Sequence, residues 1–269
     1  MSEIETRVDT QIQKEANVTT RFGVSASLGL AALFMVATPV IAQQSRCADC
    51  HFSRPEAPAQ DHVSDWDRSA HSRNNVGCEK CHGGDATTFE SQLAHWDVLT
   101  SRNPASPVHR GNIPTTCGAC HAGPFVAFQD SQHFALLEEG DPRVPVCTTC
   151  HGAVGYERPS ARSLETQCAR CHGPNGIAPR PERAEAARTL YDALHESRDL
   201  MKTARSLIDR VSDQPRRAQL DEAYQQAEVP LIQAVQSGHR FVYDDLKERL
   251  SVARQRLEAL FAQLANPKP

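Results

Sequence analysis

The chain has 269 residues, a formal charge of −4, 6% aromatic content and 10 cysteines against 12 histidines. That length suits one or two domains, and the mildly acidic balance lacks the basic footprint of a nucleic-acid binder, so no nucleic acid is expected as a partner.

In chain order, residues 1–42 form a targeting zone. Phe22 to Ala42 carries no charge, follows Arg21 and ends in Val-Ile-Ala before a polar stretch, the pattern of an export segment. Small residues at its third-last and last positions allow cleavage after Ala42, as in a signal peptide. The run is also long enough to stay in a bilayer as an N-terminal membrane anchor. Four acids against three bases precede it, a poor signal-peptide n-region, so both readings stand. Either one places the rest of the chain in the periplasm or on the outer face of the cytoplasmic membrane.

Residues 43–180 hold every cysteine. The pairs are Cys47/Cys50, Cys78/Cys81, Cys117/Cys120, Cys147/Cys150 and Cys168/Cys171, each followed at once by a histidine: His51, His82, His121, His151 and His172. Cys-x-x-Cys-His is the attachment word of c-type haem. Two thiols add across the haem vinyl groups, and the next residue sets an imidazole on the iron. Zinc sites usually pair two such cysteine words or add distant histidines, and redox dithiols usually occur singly. Five repeats that use every cysteine point to five covalently bound haem c groups, each with its iron. A stretch this short, rich in Gly, Pro, Asn and Ser, cannot bury a conventional core. The porphyrins are expected to serve as the core of a pentahaem domain, wrapped by short helices and loops, and the apo-chain is expected to be unfolded.

Each iron then needs a sixth ligand or an open site, supplied mainly by His or Met. Methionines occur at Met1, Met35 and Met201 only, none in the haem zone. The remaining histidines of residues 43–180 are His62, His71, His95, His109 and His133, one for each haem. Two share a repeated setting: Trp66 to His71 and Phe128 to His133 both place a serine three residues after an aromatic and a histidine two after that, ahead of Cys-x-x-Cys-His-Gly. Repeated sequence predicts repeated structure. His239, just after Gly238, is a spare candidate, and His195, inside a helical pattern, reads as a surface residue.

Residues 181–269 contain no cysteine and read as helix. Leu190, Leu194, Met201, Ala204, Ile208 and Val211 recur at threes, fours and sevens. A second segment starts near Leu220, is interrupted at Pro230 and stops near Gly238. A third lines up Val242, Leu246, Leu250, Ala253, Leu257, Leu260 and Leu264. The expected product is a helical hairpin or three-helix bundle, its stripe serving as core or dimer interface. The fold class is therefore mainly α with much irregular loop.

Through its five words and the two aromatic-x-x-Ser-x-His segments, the chain resembles the multihaem c-type cytochromes related to the tetrahaem electron acceptor of hydroxylamine oxidoreductase and to pentahaem nitrite reductase. The resemblance implies haems packed in stacked and perpendicular pairs, distal histidines drawn from segments that serve other haems, and close approach of haems four and five. Those nitrite reductases typically bind their catalytic haem through Cys-x-x-Cys-Lys, whereas all five words here end in His.

The main functional expectation is electron transfer through mostly bis-histidine, low-potential haems. Its partners are a membrane quinol dehydrogenase or an extracytoplasmic oxidoreductase. The alternative is a reductase or oxidase of small nitrogen or sulfur oxyanions at one open haem, with His62 or His109 as proton donor. A third reading makes the helical tail an assembly module.

Overall fold

The computed structural model describes residues 45–54, 56, 60–154 and 159–265. The expected export segment, Phe22 to Ala42, lies outside the described residues. Among those described, no helix is long and apolar enough to cross a membrane.

The protein is mainly helical, and no strand occurs among the described residues. The haem zone is a succession of short helices: α1 (Arg46–Ser53), α2 (Gln60–Asp67), α3 (Ala70–Arg73), α4 (Glu79–His82), α5 (Ser91–Ala94), α6 (Ile113–Gly118), α7 (Ala122–Gln129), α8 (Gln132–Glu138), α9 (Cys147–His151) and α10 (Ala161–His172). Their own apolar packing is thin. One small cluster joins Ala48, Val63 and Trp66, with Val154 against it. Local polar bonds carry much of the shape: the Ser69, Ser131 and Ser160 hydroxyls accept from the amides of Ser72, Phe134 and Ser163, capping α3, α8 and α10.

Three long helices follow: α11 (Pro181–Ile208), α12 (Gln214–Arg240) and α13 (Tyr243–Ala265). They pack pairwise into a bundle. Leu194, Met201, Ala227, Leu231, Ala234, Leu246, Leu250, Ala253 and Leu257 form its main core. Ala204, Ile208, Leu220 and Leu260 close one end. The stripe expected on α13 is buried at Leu246, Leu250, Ala253, Leu257 and Leu260, whereas Val242 is exposed at the helix entrance. Met201 is held in the bundle core, 4% exposed.

Pro230 does not interrupt the second helix. α12 runs through it. Proline removes the hydrogen bond to the carbonyl four residues back and crowds that carbonyl. Here the affected carbonyl, on Gln226, accepts from Arg256 Nη1 of α13 at 2.6 Å. A guanidinium from the neighbouring helix thus replaces the missing N–H. Replacing Pro230 with Ala should restore the helical bond and relieve a propensity cost of about 3 kcal/mol, less roughly 1–2 kcal/mol of lost apolar burial. The expected outcome is a higher thermal midpoint of the bundle's helical circular dichroism.

α7 packs on α12, and α10 packs on α11. These two contacts join the haem zone to the bundle and bring the end of α12 to the site.

Candidate haem sites

In each attachment word the two cysteines and the histidine stand at i, i+3 and i+4, one face of a helical turn. The backbone supplies that turn even where the regular helix is short. His82 donates its amide to the Cys78 carbonyl at 2.9 Å, and His121 to that of Cys117 at 2.8 Å. After His82 and His151 the chain leaves the turn through Gly83 and Gly152, at φ 75° and 69°, a left-handed backbone that glycine adopts without strain.

Opposite each attachment histidine stands a second imidazole. Ring centroids are 6.1 Å apart for His51–His95, 5.9 Å for His62–His82, 6.0 Å for His71–His121, 6.1 Å for His133–His172 and 6.1 Å for His151–His239. A metal shared by the two rings would account for that separation. A metal–imidazole bond of about 2 Å on each side, with roughly another 1 Å from nitrogen to ring centre, puts the centroids about 6 Å apart. The donor set therefore fits an iron held between two imidazoles. Exposed apolar side chains adjoin the first pair in sequence: Phe52 follows His51, and Leu93 and Trp96 lie either side of His95.

The second nitrogen of a ligating imidazole is usually held by a carbonyl, carboxylate or water. Three of the ten rings show such a bond among the described residues. Nδ1 lies 2.8 Å from a backbone carbonyl in His95 (Ser91), His172 (Ala178) and His239 (Val235), leaving Nε2 for the facing ring. Burial, reinforced by a nearby ring or arginine, pushes the His71, His82, His133, His151 and His239 imidazoles below their usual value. They are thus held in the neutral form that binds metal.

The repeated segments adopt repeated structure. In each, a buried aromatic (Trp66, Phe128) leads to a buried capping serine (Ser69, Ser131), and the histidine takes the second position of the helix so capped. Each histidine also passes over the next word: His71 precedes Cys78 but faces His121, and His133 precedes Cys147 but faces His172. His62 faces the next word downstream, whereas His95 passes back over the second word to face His51 in the first.

The fifth partner differs from the sequence expectation. His109 belongs to none of the five pairs. It is turned onto its own loop, where its Nδ1 accepts from the Gly111 amide at 3.3 Å and its carbonyl accepts from Asn112 and Ile113. His239, at the end of α12, stands in that place instead.

The cysteines are all free of disulfides, as thioether formation requires, and those of successive words lie near one another. The thiols of Cys47 and Cys78 lie beside each other, as do those of Cys117 and Cys147. Cys81 lies within electrostatic reach of Cys117 and Cys120, and Cys150 within reach of Cys168. The five words thus form one continuous spatial series, with the fourth beside the fifth.

Cys50 and Cys171 depart from the equivalence that the repeated spacing suggests, because they belong to none of these links between words. Cys50 is half-buried in α1, and its carbonyl accepts from the Ser53 hydroxyl at 2.9 Å. Cys171 is half-buried near the end of α10; its neighbours are Cys168 of its own word and Arg143, and its carbonyl accepts from the Ala178 amide at 2.9 Å. The reason is position. Cys50 lies in the first word and Cys171 in the last, so each has a neighbouring word on one side only, and in each case the other cysteine of the pair makes that link. Their part in attachment rests on the spacing of their words alone.

Five attachment turns on a mainly helical frame are the features of a multihaem c-type cytochrome, and the known proteins to which the chain is similar support that class. The family model "Cytochrome c7 and related cytochrome c" matches residues 103–173, and "Cytochrome c554 and c-prime" matches residues 30–83. Between them they take in all five words. The C-type polyheme cytochrome OmcC of Geobacter sulfurreducens is 26% identical over 116 residues, 40% of this chain and 14% of that protein. The match thus spans only a small part of that relative's length. No solved structure matches. These likenesses support covalently bound haem c and a role in electron transfer.

Proposed function

We propose that the protein is an extracytoplasmic electron carrier with five haems, each ligated by two histidines. The single observation that carries this reading is that all five attachment histidines have another imidazole facing them at about 6 Å. The pairs are His51/His95, His82/His62, His121/His71, His151/His239 and His172/His133. Haem c, when bound, supplies a one-electron iron couple, and two nitrogen ligands without a thioether keep its potential low. The protein's part is to hold the two rings of each pair facing one another and to keep neighbouring attachment points close, so that the electron has a short path from one station to the next.

The open-haem reductase or oxidase is the weaker reading. Of its two candidate proton donors, His62 faces His82 instead of an empty position, and His109 faces none of the five attachment histidines. The expected partners are redox proteins, a membrane quinol dehydrogenase or an extracytoplasmic oxidoreductase. Such encounters use small, transient interfaces. An acidic chain carrying haem propionates favours a basic docking patch.

The test is a reductive titration of the purified holoprotein with turnover assays for nitrite, hydroxylamine and sulfite. The expected result is five one-electron equivalents taken up and returned to a one-electron acceptor, with no substrate turnover. Sustained turnover of any of the three would overturn the carrier reading.

A further inference from the structure

The end of α12 is closed by a Schellman motif, in which two amides reach back to carbonyls of the last turn. Phe241 donates its amide to the Gly238 carbonyl, and Val242 donates to that of Ser237, both at 3.2 Å. The residue at the left-handed position of this motif is usually glycine. Here it is phenylalanine, at φ 58°. For a bulky residue that conformation is an outlier costing about 1–2 kcal/mol, and such strain persists where surrounding structure or function requires it.

The turn is fixed from several sides. Tyr191 of α11 donates its hydroxyl to the Gly238 carbonyl at 3.0 Å, and a Cβ on Gly238 would come within 2.9 Å of the Tyr191 hydroxyl oxygen. Asp245 accepts from Ser237 and Arg240, which bracket the turn. So anchored, the Phe241 ring meets His133 edge-on, with centroids 4.5 Å apart at 85°, and also touches Phe128. No hydrogen bond to the His133 ring occurs among the described residues, so its orientation against His172 rests on packing. Glycine would satisfy the turn but leave that ring without its neighbour.

We propose that Phe241 is the positioning residue for His133, and that the turn after α12 mounts the sixth ligands of two adjacent stations at once: His239 directly, and His133 through the Phe241 ring. The proposal rests on the ligation reading above. It explains why strain is kept at a site where glycine is the easy choice. It also makes the bundle a support for haems four and five together.

The test compares Phe241→Gly and Phe241→Asn with the wild-type holoprotein by electron paramagnetic resonance (EPR) and redox titration. Both residues accept a left-handed backbone, so the turn is kept and only the ring is removed. The expected result is that one low-spin haem signal of five is displaced or converted to high-spin. The potential of that haem shifts, the other four are unchanged, and the helical content of the bundle is retained. In a His133→Ala background, Phe241→Gly should add no further spectral change. Five unaltered low-spin signals and potentials in both single variants would overturn the proposal and leave the ring as packing alone. If His133→Ala by itself leaves the spectrum unchanged, the ligation reading fails first, which separates the two failures.

Discussion

Replacing His239 with Ala should convert one haem of the five from low-spin to high-spin while all five remain attached. Attachment depends on the cysteines and the adjacent histidine of each word, which the substitution leaves in place. What is lost is the imidazole opposite His151, whose Nδ1 is tied to the Val235 carbonyl at 2.8 Å. Truncation to alanine leaves nothing at that position long enough to reach the iron. The measurements are the denatured haem content, expected to be unchanged, and the EPR spectrum, in which a high-spin signal should appear as one low-spin signal disappears. His109→Ala is the matching control and should leave all five low-spin signals intact. The reverse pattern, with His109→Ala opening a haem and His239→Ala silent, would show that the fourth station is built differently.

A comparable loss is expected from replacing Cys147 and Cys150 together with Ala. Cys147 lies beside Cys117 of the word before it, and Cys150 lies within electrostatic reach of Cys168 in the word after it. Loss of the fourth haem therefore removes the station that joins the fifth to the first three. Mass spectrometry should show one haem fewer. Stopped-flow reduction by a large protein donor, which cannot reach every haem directly, should split into a fast phase and a much slower one. A single phase at the wild-type rate would mean that electrons do not pass through the fourth station.

Much of this site could be read from sequence because covalent chemistry imposes spacing. A porphyrin edge fixes the two-residue gap between cysteines, and coordination fixes the histidine that follows. That spacing makes the ten cysteines look alike, so the end positions of Cys50 and Cys171 emerge only from how the words adjoin in space. His71 and His133 were legible for a different reason: the aromatic and serine ahead of each build a local cap, and local structure repeats with local sequence. Which word each histidine faces was not legible, since passing over the nearest word is a property of tertiary packing.

The same limit left His239 a spare candidate only. It sits at the end of a helix whose apolar stripe reads as packing. His109, by contrast, lay within the haem zone and made the count of five come out complete. The helical tail was visible in its periodicity, but Pro230 pointed to a break. Only the approach of Arg256 from the next helix shows why α12 continues. Phe241 carries no sequence signal for a positioning role. Its significance comes from a left-handed backbone and a ring 4.5 Å from His133, both visible only in three dimensions.

If five haems each sit between two histidines of this chain, no iron has a free coordination position. EPR spin quantitation of the oxidised holoprotein reads this, together with optical spectra of the reduced protein with and without carbon monoxide. Low-spin signals for all five haems are expected, with no spectral change on adding carbon monoxide. A high-spin haem that binds carbon monoxide in the unmodified protein would contradict that ligation.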